Sequence, residues 1–132
     1  MSYTTFELTT PDVAVSPETF DPENPSVATV RIKNTGAVAG AQVLQLYISA
    51  PHSPTPRPVK ELHGYEKVFL EPGEEKTVEI HIDKYATSFW DEIESQWKSE
   101  EGTYEVLIGT SSQTILGKGT LRVPKTRYWL GL

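Results

Sequence analysis

A chain of 132 residues with no cysteine, 18 acidic against 12 basic side chains and a net charge of −6 is of single-domain size and large enough to bury a core without staples. The missing cysteines exclude disulfides, thiolate nucleophiles and cysteine-based zinc sites, and the acidic balance, with no Lys/Arg cluster, argues against nucleic acid or anionic lipid as a partner. No apolar stretch approaches the ~20 residues of a membrane helix, and MSYTTFELTT has no basic segment followed by an apolar run, so neither a membrane span nor a signal peptide is expected in this chain. In chain order, period-two alternation dominates, which predicts half-buried strands. FELTTPDVAVS is read as the first strand, and VATVRIKN follows with Ala28, Val30 and Ile32 on one face and Thr29, Arg31 and Lys33 on the other. QVLQLYIS aligns Leu44, Leu46 and Ile48. The stretch from Arg57 to Ile80, RPVKELHGYEKVFLEPGEEKTVEI, reads as two strands joined by a turn, the second aligning Val78 and Ile80, with Ile82 beyond. TYEVLIG aligns Tyr104, Val106 and Ile108, and TILGKGTLRV closes the series. Turn signals separate them: NTGAVAG, EPGEE and SEEG carry the Gly and Pro that a reversal needs. The profile is all-β, an immunoglobulin-like antiparallel sandwich of about seven strands. No internal repeat is visible.

Between QLYIS and KEL, Pro51, Pro54, Pro56 and Pro58 punctuate SAPHSPTPRPVKEL, and proline cannot donate to a ladder, so this segment is expected to be an extended, stiff connection. Arg57 and Lys60 there can meet carboxylates or carbonyls, and the planar guanidinium of Arg57 suits an interface.

Candidates for catalysis are poorly arranged. Glu71, Glu74 and Glu75 flank a Pro-Gly turn, and Asp91, Glu92, Glu94, Glu100 and Glu101 fall in a loop, where solvated charge is the expected state. His52, His63 and His81 share no metal-ligand spacing, and His81 falls on the polar face of its strand. Ser111, His81 and Asp83 can be combined only on paper, because the Ser lacks a G-x-S-x-G elbow. DEIESQWKSEE lacks the ligand rhythm and bend glycine of an EF-hand, and neither Asn24 nor Asn34 forms a glycosylation sequon. No metal and no cofactor is expected.

The aromatic residues offer a second line. Trp90, Trp97, Tyr128 and Trp129 are candidate stacking faces for a sugar ring or a lignin phenyl group. The competing reading is structural. In SFWD, Phe89 and Trp90 point oppositely if extended, so one belongs to the core, and Trp97 closes one end of the sandwich. Tyr128 and Trp129 follow Pro124, beyond the last periodic strand, and a tail without a strand of its own must cover a surface or move freely.

The landmarks KNTG, a strand with QLY, RP-x-KEL-x-G-Y, L-x-PGE, SFWD, a lone Trp, G-x-Y-x-V and G-x-SS come in an order that resembles the fibronectin type III-like domain at the C-terminus of glycoside hydrolase family 3 β-glucosidases, over about residues 13 to 123. The closing PKTRYWLGL is similar to the end of fungal members. The resemblance implies a sandwich over residues 1–123 with a C-terminal tail over 124–132. It implies a parent that hydrolyses terminal β-D-glucosyl residues in cellobiose and related glucosides, with its nucleophile in an N-terminal (β/α)₈ barrel and its acid/base in a following α/β domain. A barrel alone takes ~250 residues, so this chain holds neither. It further implies a secreted enzyme and, for this chain, a monomeric, non-catalytic accessory domain whose partners are the catalytic domains. Arg57, Lys60, Glu61, Tyr128 and Trp129 are then candidate docking residues, although the proline-rich loop equally serves as a brace for the sandwich. Trp90, Trp97, Tyr128 and Trp129 remain the candidates for binding lignin or cellulose.

Overall fold

A computed structural model describes residues 5–9, 12–21, 23–50, 61–83, 86–111 and 114–130. Among them run eleven strands: β1 (Phe6–Leu8), β2 (Ala14–Ser16), β3 (Ser26–Asn34), β4 (Gly40–Ser49), β5 (Glu61–Leu70), β6 (Glu75–Ile82), β7 (Ser88–Asp91), β8 (Gln96–Ser99), β9 (Gly102–Gly109), β10 (Ile115–Val123) and β11 (Arg127–Trp129). The all-β expectation holds and the count of seven does not. In one sheet β3 is flanked by β6 on one side and by β1 and β2, end to end, on the other; the second sheet runs β10-β9-β4-β5. The two β1 and β2 segments make one interrupted edge strand, with Pro11 between them in sequence, so the sandwich proper has the expected seven positions. The surplus is a third sheet, β11-β8-β7.

The predicted apolar phases face inward. Val30, Ile32, Leu44, Leu46, Ile80, Val106 and Ile108 are all buried in one cluster, with Ala28, Ile48, Val78, Ile82 and Tyr104 in the same set. Alternation alone suffices here because a one-residue slip would turn every such side chain outward. The interrupted edge also laces the two sheets together. Val13 N donates to Lys118 O at 3.0 Å and Phe20 N to Arg122 O at 2.7 Å, so the segment after β1 lies along β10. Gly119 permits this approach, since a Cβ there would stand 2.3 Å from Val13 O.

Two landmarks receive a structural reason. Asn34, fully buried at the end of β3, donates through Nδ2 to Val38 O (2.9 Å) and Leu70 O (3.0 Å), while its Oδ1 accepts from Gly36 N (2.9 Å). It thereby joins the β3–β4 turn to the end of β5. Tyr104, also fully buried, donates its hydroxyl to Glu100 O at 2.8 Å, tying the entry of β9 to its own strand, as in the tyrosine corner of immunoglobulin-like sandwiches. Tyr104→Phe is expected to cost about 1–2 kcal/mol through loss of that bond, visible as a lower denaturation midpoint at unchanged slope. Glu100 itself is buried, which corrects its placement among the solvated loop acids. It sits at the corner that the Tyr104 hydroxyl closes.

The third sheet corrects the reading of the tail. After Pro124 the chain forms β11, which pairs with β8 through Arg127↔Ser99, Tyr128↔Lys98 and Trp129↔Trp97. A hairpin of β7 and β8 leaves one edge of β8 open, and three residues of β11 fill it, too few to register as a period.

Candidate functional site

The four aromatic candidates come together on this small sheet. Register places Trp129, Trp97 and Trp90 in one row across β11, β8 and β7. The row runs from inside to outside: Trp129 is stacked on Phe20 with centroids 6.3 Å apart and packs against the core, whereas Trp90 is 48% exposed. Trp90 and Trp97 meet edge to face, 5.8 Å apart with planes at 81°. Rings so disposed are suited to packing on each other, and they do not share a plane on which a sugar or phenyl ring could lie flat. Tyr128 points to the opposite face, half-exposed, with Lys98 Nζ 5.7 Å from its ring centre.

The docking candidates separate. Arg57 and Lys60 lie outside the described residues, as do His52 and the four prolines. Glu61 opens β5, paired with Ile48, and its carboxylate stands 3.6 Å from His63 Nε2. Tyr128 and Trp129 belong to the small sheet. Among the described residues no group of three His, Asp or Glu is placed to hold a metal. An open cleft of ≈ 510 Å³ where the N-terminal segment crosses β10 is lined by Asp12, Glu18, Glu105 and Lys118. Glu75, at the start of β6, has its carboxyl held below the usual range by a hydrogen bond from Thr9 and then by Arg31, whose guanidinium is 3.1 Å away.

One surface escaped the sequence reading. Along β5, Val68 and Leu70 point into the core, and the alternate residues Tyr65, Lys67 and Phe69 point away from it. A register shift between Leu46 and Tyr47 then brings Leu62 opposite Tyr47, onto the same outer face. Leu62 is 52% exposed, Tyr65 71% and Phe69 53%, and Val43 on β4, paired with Lys67, adds to them. The strip continues into Tyr47 and Leu107, which pair across β4 and β9 and are buried although neither belongs to the central core cluster. The signal was present in GYEKVFL, where both phases are apolar: a strand with one wet face should alternate with polar residues.

Residues 42–112 match the fibronectin type III-like domain model. The chain is 72% identical over all 132 residues to probable β-glucosidase H of Aspergillus flavus, of which it covers 16%. It superposes on a β-glucosidase from Kluyveromyces marxianus, solved with glucose, with a TM-score of 0.87 and 45% identity, covering 100% of this chain and 15% of that one. A glycoside hydrolase family 3 β-glucosidase of Bifidobacterium adolescentis gives a TM-score of 0.83 at 32% identity, over 93% of this chain and 18% of that one. The chain thus spans about a sixth of the length of the relatives it matches.

Proposed function

We propose, for a chain that belongs to the fibronectin type III-like domain family, the role of a non-catalytic accessory domain in a longer glycoside hydrolase family 3 β-glucosidase, where it packs on the catalytic domains and stabilises them. The observation that carries this reading is the combination of a complete core of its own with several large apolar side chains left in solvent, in a chain similar to only 16% of a β-glucosidase. A domain that binds only the folded form of its neighbours raises their stability by linkage. Retaining glycoside hydrolysis needs two carboxyl groups about 5 Å apart in a cleft, and the parent's barrel and α/β domains are the places for them.

Two measurements test the role. The purified chain, incubated with an aryl β-glucoside or cellobiose, is expected to show no turnover above buffer. Deleting this segment from the longer β-glucosidase is expected to lower the thermal midpoint of the remainder by several degrees; an unchanged midpoint would remove the stabilising role. Binding of lignin or cellulose is the second reading, favoured by the half-exposed Trp90 and Tyr128. Saturable depletion of the isolated chain onto microcrystalline cellulose, lost in a Trp90→Ala, Tyr128→Ala variant, would put it first.

A further inference from the structure

We propose that the outer face of β4 and β5, formed by Val43, Leu62, Tyr65 and Phe69 around Lys67, is the seat for another part of the same β-glucosidase polypeptide, an apolar surface that brings a carboxylate or carbonyl to Lys67. The proposal rests on the accessory-domain reading and names the face and chemistry of the contact. Four large apolar side chains on one sheet face are costly to leave in water and gain by burial. The small sheet offers less, because its tryptophans already spend much of their surface on one another and on Phe20.

The contact runs through side chains of the face, not through strand addition at the edge. Lys76 Nζ occupies the carbonyl of Phe69 at 2.9 Å, and the register shift at Leu46 and Tyr47 interrupts the regular ladder, both of which blunt an edge. The occupant is the rest of the polypeptide because the relatives extend far beyond this segment, which is 16% of their length. A tethered neighbour meets the face at an effective concentration of about millimolar, which a second copy does not reach in dilute solution. A second copy would also bring like charge to like, since the chain carries a net charge of −6. Lys67, exposed between Tyr65 and Phe69, requires an acceptor opposite it once water is excluded.

Hydroxyl-radical footprinting of the isolated chain and of the full-length β-glucosidase, with oxidation read residue by residue, tests this without substitution. Tyr65 and Phe69 are expected to oxidise readily in the isolated chain and several-fold more slowly in the full-length protein, while Trp90 and Tyr128 change little. Protection of Trp90 and Tyr128 in place of Tyr65 and Phe69 would overturn the choice of face and leave the accessory role standing. Equal oxidation of all four in both proteins would overturn the choice of face, and the accessory role would fall with it if deleting the segment also left the thermal midpoint unchanged. Protection of Tyr65 that grows with the concentration of the isolated chain would assign the face to a second copy. As a complement, Lys67→Glu in the full-length protein is expected to lower its thermal midpoint while leaving that of the isolated chain unchanged; an unchanged full-length midpoint would remove the acceptor opposite Lys67.

Discussion

Replacing Leu46 by alanine is expected to cost about 3–5 kcal/mol, the upper part of the range for a buried leucine. Leu46 is fully buried at the centre of β4, between Gly64 of β5 and Ile108 of β9. The neighbour on one side has no side chain with which to refill the space. Gly64 is bare because a Cβ there would lie 2.9 Å from Ile80 Cγ2 of the opposite sheet, so the sheets are already in contact at this point. Collapse around the cavity would require the backbone to move, and the transfer and cavity contributions therefore add. For a domain of this size the loss corresponds to a fall of roughly 10 °C or more in thermal midpoint. A denaturation midpoint within error of the parent would show that Leu46 does not occupy the space between the sheets.

Asn34→Ala is expected to cost about 2–4 kcal/mol, because one side chain makes three hydrogen bonds to backbone groups, one of them fully buried, and all three are lost together. Asn34→Asp separates the components: it keeps the acceptor for Gly36 N and loses both donations, to Val38 O and Leu70 O. Burying a carboxylate adds to the loss, so the Asp variant is expected to be no more stable than the Ala variant. If Asn34→Asp unfolded at the same denaturant concentration as the parent, both donations would be immaterial to stability, including the one to Leu70 O that joins the β3–β4 turn to β5. The neighbouring turn gives a further check on the same corner. Gly73 N donates to Asn34 O at 2.9 Å, and Gly73 has φ of 77°, a conformation that L side chains rarely adopt.

What the sequence alone determined is the set of strands whose two faces differ. In β3, β6 and β9 the apolar phase is unbroken, and a local pattern is enough to say which side chains are buried, since any other register exposes all of them. The ordered landmarks from KNTG to G-x-SS carried the resemblance to the fibronectin type III-like domain, and several coincide with points where the fold has little choice, such as Asn34, Gly64 and Tyr104. Tertiary structure alone decided the rest. That β11 exists follows from an open edge on β8, and that Trp129 is held inward follows from Phe20, which is distant in sequence. The outer face of β5 was invisible for a related reason: with Val68 and Leu70 filling the core, the apolar residues of the other phase become a surface only once the sheet has chosen its inner side. Alternation is a property of neighbours along the chain, whereas exposure depends on what the fold brings against each face.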